Sequence, residues 1–490
     1  MADNLQETYD QIPYGSEPIS GTHPGHIAAI GTLLGLTPPD PSCARILELG
    51  CAHGDNILGI ATMFPRSNCT GVDISPRQIE RGHALATRAS LSNVSLQTMS
   101  ILDITPEFGT FDYIIAHGVF SWVPRQVQDK ILEICASNLS SHGLCFISYN
   151  TLPGWHVRGF IREMMLFHTR TFPDPTLRAA RAREVLEFMG SSLKSDTPFG
   201  ALLQDELKHP RAMPDWYLAH DFMEEFNLPE YFHSFMERCG AQGLQYVGDS
   251  EVPLMFPHEF SPAVKQNITR MSTSLLAREQ YTDFLRNRMF RRSILCHSDE
   301  LIRSSFDSNT IRNLFVASPL AAAPAGNAEP CAFKHPNGGG LRAPNAMLAA
   351  AATHLGARWP ASIHYPELAA LVSASLVQVE RDIVEKSLCE GVHTCFAAGL
   401  MQLSVGPSPF STAVSEKPLA SPLARAQAEE GLKVGTLQHE SCSLDTSEVN
   451  ILKLLDGTLS ISDIAARLTK SPEEVSRTVT KFARTALLRH

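Results

Sequence analysis

The sequence predicts an α/β protein: a Rossmann-like core on a seven-stranded sheet, a helical insertion, and smaller C-terminal α+β and winged-helix-like domains. Three observations predict this. From about residue 43, short apolar runs alternate with amphipathic helical ones, the pattern of a parallel sheet flanked by helices. The stretch "ILELGCAHGDN", residues 46–56, takes a strand through a glycine-punctuated turn into a helix. At the far end, "TSEVNILKLLDGTLSISDIAARLTKSPEEVSRTVTKFARTALL" reads as three short amphipathic helices in the manner of a winged helix.

Element by element, "ARILELGC" is the first strand and "GDNILGIATMF" its helix. "CTGVDIS" is the second strand. Ser75 caps the helix after it, and Pro76 suits that helix's first position. "VSLQTMS", "FDYIIAH" and "GLCFISYN" supply strands three to five, with the helix "PRQVQDKILEICASNL" between the last two. Met- and Phe-rich helical sequence then runs from about 155 to 238. "GLQYVGDSEVPLM" and "FRRSILCH" return as two strands that complete the same sheet. The expected divisions are 1–42 (a lid segment), 43–154 (the cofactor core), 155–238 (the insertion), 239–302 (sheet end and regulatory region), 303–410 (a middle domain with linkers) and 411–490.

Composition bounds the function. At 490 residues the chain holds several cores. It is 43% hydrophobic and 19% charged, which describes a folded globular protein. A net charge of -10 argues against wrapping nucleic acid, and acids and bases nearly balance in the last domain, which favours protein contact over DNA reading. Eleven scattered cysteines without a CxxC pair read as free thiols in a reducing compartment, the cytoplasm. The start, "MADNLQETYDQIPYG", lacks the basic and apolar regions of a signal peptide, and no run is apolar enough for membrane insertion. No metal site is expected.

The turn decides the ligand. A dinucleotide fingerprint needs GxGxxG so that backbone can approach a pyrophosphate. Here Glu48 and Gly50 are followed by Ala52 and then Gly54, and no phosphate-gripping lysine follows. That suits a cofactor without phosphates whose amino-acid-like tail lies over the turn. Asp73, ending strand two, is placed to accept from both ribose hydroxyls. S-adenosylmethionine meets this description. Cys51, Asn56 and Ile74 complete the turn and strand end, while Ser100, Ile101 and His117 are placed for the adenine and the reactive end. The rival reading is an ordinary strand-to-helix turn beside a helix-capping aspartate.

Residues 43–150 resemble a class I methyltransferase. The longer pattern resembles the bacterial methyltransferases that carry a methyltransferase regulatory domain, a group including the rickettsial protein lysine methyltransferases acting on an outer-membrane protein. The carriers are "YDQIPYGSEPISGTHP", "LELGCAHGDN", "GVDISPRQI", "FDYIIAHGVFSWVP", "SYNTLPGW", "REQYTDFLRNRMFRRSILC" and the C-terminal "LLDG". The match is strong to about residue 300 and thins through 303–410. The resemblance implies a methionine-derived cofactor, a dimer-forming helical insertion, and C-terminal domains that help hold a protein substrate, including a surface or outer-membrane protein. One departure stands out: where many class I enzymes end strand three with aspartate, this chain has Ser100, with Asp103 three residues on.

Methyl transfer from a sulfonium is an in-line displacement, so the protein supplies alignment and a desolvated pocket. A lysine acceptor must also lose a proton. From a reference pKa of about 10.4, neutrality at pH 7 costs roughly 4.6 kcal/mol, a cost that apolar surroundings lower. The segments after strands four and five, "AHGVFSWVP" and "SYNTLPGW", offer His117, Phe120, Trp122, Tyr149, Asn150 and Trp155 as pocket candidates, without an assigned base. Tyr14 and His23 fold over as a lid in the family pattern, although His23 before Pro24 also suits a helix cap. "FLRNRMFRR" reads as either an anion-binding patch or a solvated helix end. "HGVF" lacks the Asn/Asp-Pro-Pro-aromatic turn of adenine and amide methylases. A small-molecule methyltransferase and a non-catalytic cofactor-binding regulator remain the alternatives.

Overall fold

The computed structural model describes residues 16–172, 174–323, 332–376 and 378–489. One twisted sheet positions the rest. Its strands are β1 (Arg45–Leu49), β2 (Asn68–Asp73), β3 (Val94–Thr98), β4 (Phe111–Ala116), β5 (Leu139–Leu152), β7 (Leu244–Asp249) and β8 (Phe290–His297), in the order β3-β2-β1-β4-β5-β8-β7. A two-residue strand, β6 (Glu230–Tyr231), pairs with the end of β5 off this path. Strands β1 to β5 are parallel, and β8 lies antiparallel between β5 and β7. The seven expected strands therefore share one sheet.

Both faces of the sheet are covered, so its strands read as nearly continuous apolar runs. On one face lie α1 (Pro24–Leu33), α2 (Asp55–Met63) and α3 (Pro76–Arg88), with Ile27, Ile57, Ile79, Leu144 and Phe146 in a shared core. On the other lie α4 (Arg125–Ser137) and, later in the chain, α9 (Phe232–Ala241). There Leu47, Ile114, Ile131, Tyr149 and Phe235 form the second core. Ser75 caps α3 by accepting from Gln78 N, with Pro76 in the first turn, which starts that helix where the sequence predicts. His23 does the same for α1, its Nδ1 accepting from Gly25 N at 3.1 Å.

Four insertion helices, α5 (Trp155–Thr169), α6 (Pro175–Ser192), α7 (Pro198–Ala212) and α8 (Asp215–Phe222), close a core of their own around Ile161, Met165, Leu186, Leu203 and Phe222. The helical stretch expected to run to 238 thus divides, because α9 packs on the sheet instead. Two further helices, α10 (Pro262–Met271) and α11 (Leu275–Arg286), lead into β8.

The arginines expected at a surface patch or helix end turn inward. Arg291 is fully buried, its guanidinium paired with both oxygens of Asp283 at 2.8 Å and with Glu279 at 3.1 Å, over the ring of Phe232. Arg288 reaches Asp249 at 2.5 Å, also buried. Asp283 and Glu279 on the preceding helix and Asp249 in β7 therefore neutralise these two arginines, while Arg286 and Arg292 pair with Glu259 and Glu251.

C-terminal to the sheet, Phe315–Ala317, Ile363–His364 and Gln402–Ser404 form a small antiparallel sheet beside helices 346–358, 365–375 and 381–397. The last part is a hairpin, Lys433–Gly435 with Ser441–Ser443, and helices 446–453, 461–468 and 472–484. Asp445 and Ser460 start the first two of these helices with capping boxes, and Ser471 caps the third. Val449, Leu452, Ile464, Val479 and Phe482 fill their core. Among the described residues no helix is long and apolar enough to cross a membrane, and the ten described cysteines are free.

Candidate cofactor site

The strand order reverses between β1 and β4, which places a crevice at the carboxyl ends of these strands. The turn after β1 lies there. Gly50, Ala52 and Gly54 all have positive φ (69°, 49° and 88°), a conformation that glycine adopts without a side-chain penalty. Gly50 N and Cys51 N both donate to Val72 O, at 2.8 and 3.0 Å, fastening the turn to β2. A Cβ on Gly50 would meet Val119 Cγ2 at 2.4 Å, so the loop after β4 packs directly on the turn.

Asp73 holds the other side. Its Oδ2 accepts from Ala52 N at 2.8 Å and its Oδ1 from Ser75 N at 2.9 Å, which orients the carboxylate at the strand end. Beneath the turn, Glu48 is buried, with Oε1 accepting from Asn56 Nδ2 at 2.9 Å. Its Oε2 has no hydrogen-bond partner among the described residues. Burial pushes the Glu48 carboxyl up to about 8, hydrogen bonding from Asn56 and from the Ile57 backbone opposes this, and Asp73 and Asp55 add to it. Cys51 is buried with its thiol pushed well above its ordinary range, also by burial.

Along the crevice, Ile74 is half-buried after β2. Ser100 caps a single 3-10 turn, Ile101–Asp103, by accepting from Leu102 N at 3.2 Å, and Ile101 packs against the second core. His117 follows β4, stacked on Phe146 (centroids 5.9 Å apart) and edge-on to Phe290 at 6.3 Å. Burial pulls its pKa down to about 4, with the nearby Arg292 cation adding to the effect, so the ring is neutral at pH 7. Beside it, Gly118 N donates to Ser148 Oγ at 2.9 Å, and a Cβ on Gly118 would meet nothing within 4 Å.

The structure thus brings Glu48, Gly50, Gly54, Asn56, Asp73, Ser100 and His117 to one edge of the sheet. The other pocket candidates sit differently. Tyr149, expected to line the pocket, lies in the second core instead: its ring stacks on Phe235 at 4.0 Å and its hydroxyl meets Ser293 Oγ at 3.2 Å. Strand parity is the reason, since Phe146 faces His117 and Tyr149, three residues on, faces the opposite way. Phe120 is also core, edge-on to both Tyr149 and Phe235. Trp122 is buried edge-to-face with Trp155, at 5.9 Å. Asn150 is tied to Ser121 and Asn227. Tyr14 lies outside the described residues.

Three residues from the C-terminal domain reach α2 and α3, the helices that follow the site's first two strands, and nothing local in the sequence marks them. Gln427 Nε2 donates to Asp55 Oδ1 at 3.0 Å, Glu430 pairs with Arg81 and Arg88 of α3, and His439 Nε2 lies 2.8 Å from Asn56 Oδ1. A cavity of about 740 Å³, lined by Gly21, His26, Glu251, Arg292, Ser404 and Gln438, opens nearby, but none of Gly50, Asp73, Ser100 or His117 lines it.

A phosphate-free nucleoside with a cationic amino-acid tail fits these residues: a buried carboxylate oxygen awaits a donor at Glu48, an acid ends β2, and open space lies over Gly118. With this sheet order, they define a class I, S-adenosylmethionine-dependent methyltransferase. Residues 46–143 match the family described as methyltransferase domain, 214–297 the predicted methyltransferase regulatory domain, and 416–485 the PKMT C-terminal winged helix domain. The chain carries these three matched parts and belongs to the family of RP028, an uncharacterized protein of Rickettsia prowazekii. RP028 is 43% identical over 233 residues, which cover 47% of this chain and 93% of that protein. A second R. prowazekii protein, RP789, also uncharacterized, is 39% identical over 327 residues, 65% of this chain but only 59% of its own length. The structure of PKMT2 from Rickettsia typhi superimposes with a TM-score of 0.88 at 29% identity, covering 97% of this chain and 100% of that one. PKMT2 in complex with AdoHcy gives 0.87.

Proposed function

We propose that the protein transfers methyl groups from S-adenosylmethionine to lysine side chains of a protein substrate. The observation that carries this is the likeness to PKMT2, a protein lysine methyltransferase by its abbreviation, along nearly the whole chain and including the winged-helix domain docked beside the cofactor turn. The cofactor supplies an activated methyl group. Asp73 binds its ribose, Glu48 its ammonium, and Ser100 with the backbone of Ile101 its adenine edge. His117, neutral and packed among aromatic rings, presents a weakly solvating wall to the acceptor. Such surroundings disfavour an ammonium and so lower the cost of a neutral lysine.

The reading extends to assembly and place. The insertion exposes Phe167 (66%), Phe188 (62%) and Phe199 (56%), large rings that a second copy of the chain would cover. Free thiols suit a cytoplasmic enzyme acting on its substrate, a surface or outer-membrane protein, before export.

The test is to incubate the protein with methyl-labelled cofactor and extracts holding both proteins and metabolites, then locate the label. Label on protein lysines is expected. Label confined to small molecules would reject the lysine reading in favour of a small-molecule acceptor, and none at all would favour a cofactor-binding regulator.

A further inference from the structure

The helix after the glycine turn is gripped from the far end of the chain. His439 sits near the tip of the hairpin 433–443, inside the winged-helix match, fully buried and with φ at +62°. Its Nε2 lies 2.8 Å from Asn56 Oδ1 and 3.2 Å from Thr22 Oγ1. An amide oxygen only accepts, so this nitrogen carries the proton. Asn56 Oδ1 also accepts from Ile19 N at 3.0 Å, and Thr22 Oγ1 lies at the same distance with its one proton directed between Asn56 Oδ1 and Ile19 O, the latter at 2.8 Å. The imidazole reaches this point because α2 carries Gly59: a Cβ there would lie 3.1 Å from His439 Nδ1.

Two N–H donors on one oxygen, Ile19 N and His439 Nε2, fix which way the Asn56 amide faces. Its nitrogen is thereby committed to Glu48 beneath the turn, which it reaches at 2.9 Å. An amide turned the other way would set oxygen against the ionised carboxylate that a bound ammonium requires. The N-terminal segment supplies one of the donors, and the other comes from 383 residues away.

We propose that His439 is a positioning residue for the cofactor: its Nε2–H holds the Asn56 amide so that Glu48 is presented to the cofactor's ammonium. The C-terminal domain thus takes part in binding S-adenosylmethionine. This rests on the cofactor reading above.

The test measures AdoHcy affinity by calorimetry on the full chain. His439→Leu keeps bulk and removes the donor, and roughly tenfold weaker binding is expected for one lost buried bond. His439→Gln restores a donor at similar reach, and affinity within about threefold of the parent is expected. Equal loss in both variants, or parent-like affinity in the leucine variant, would overturn the relay. If the leucine chain does not fold, His439→Asn replaces it: asparagine tolerates the left-handed backbone, but its amide is too short to reach. Asp73→Ala runs alongside. Loss there with none in His439→Leu overturns the relay alone, whereas parent affinity in both overturns the cofactor site itself.

Discussion

Asn56 Nδ2 holds one oxygen of Glu48 at 2.9 Å and leaves the other buried without a partner. This arrangement has a pH signature. With its carboxyl raised to about 8, Glu48 binds a proton in the folded chain that the unfolded chain, at an ordinary 4.5, has already released. Between these values the folded state holds more protons, so stability without cofactor falls as pH rises. Below about pH 6.5 the buried His23, His117 and His439, all held neutral by burial, work the other way, so the Glu48 signature is read above that range: melting temperature from pH 7 to 8 should decline, and Glu48→Gln should flatten that decline. Because the cofactor's ammonium requires the ionised form, AdoHcy binding should tighten towards pH 8 and release a proton below it. Calorimetry in buffers of different ionisation enthalpy reads that proton, and an unchanged heat would contradict the pairing.

Asp73 faces both the turn and the expected ribose. Removing it should weaken AdoHcy at least tenfold, since hydrogen bonds to a charged group contribute about 1.5–3 kcal/mol each. Its bonds to Ala52 N and Ser75 N make a smaller loss of stability expected too. Calorimetry beside thermal melting separates the two effects.

Arg291 is the hub of the buried ion cluster. Arg291→Ala leaves Glu279 without its cation and Asp283 with only Arg288 at 3.7 Å, and a loss of about 3–5 kcal/mol is expected by urea denaturation. A change below 1 kcal/mol would mean that water reaches the cluster.

The exposed rings of the insertion give a separable prediction. Phe188→Glu should shift the protein from dimer to monomer in sedimentation velocity while AdoHcy affinity stays as in the parent. A parent chain that sediments as a monomer at tens of micromolar would remove the assembly reading.

Much of this was legible because the turn chemistry is local. The Glu48–Gly54 spacing announces the strand-to-helix turn, and Ser75 before Pro76 its helix cap, over a few residues. That seven strands share one sheet followed from the alternation of strands and helices. Two kinds of position resisted. Tyr149 sits in a strand buried on both faces, where no polar alternation reveals which parity faces the crevice. Arg288 and His439 owe their state to partners far along the chain, with Asp249 lying 39 residues before Arg288 and Asn56 lying 383 before His439. A basic run reads as surface until its acids are found.

The placement of β8 bears on how the chain is made. Its Leu295 pairs with Cys145, so β5 waits through the whole insertion before its neighbour arrives. During synthesis the parallel half of the sheet can assemble early with a bare hydrogen-bonding edge, the kind of surface on which nascent chains stick to one another. A slow, late closure of this sort makes α5 to α8 more than ornament. By collapsing around their own apolar centre, they draw residue 230 back to the end of β5 and shorten the search left to β8.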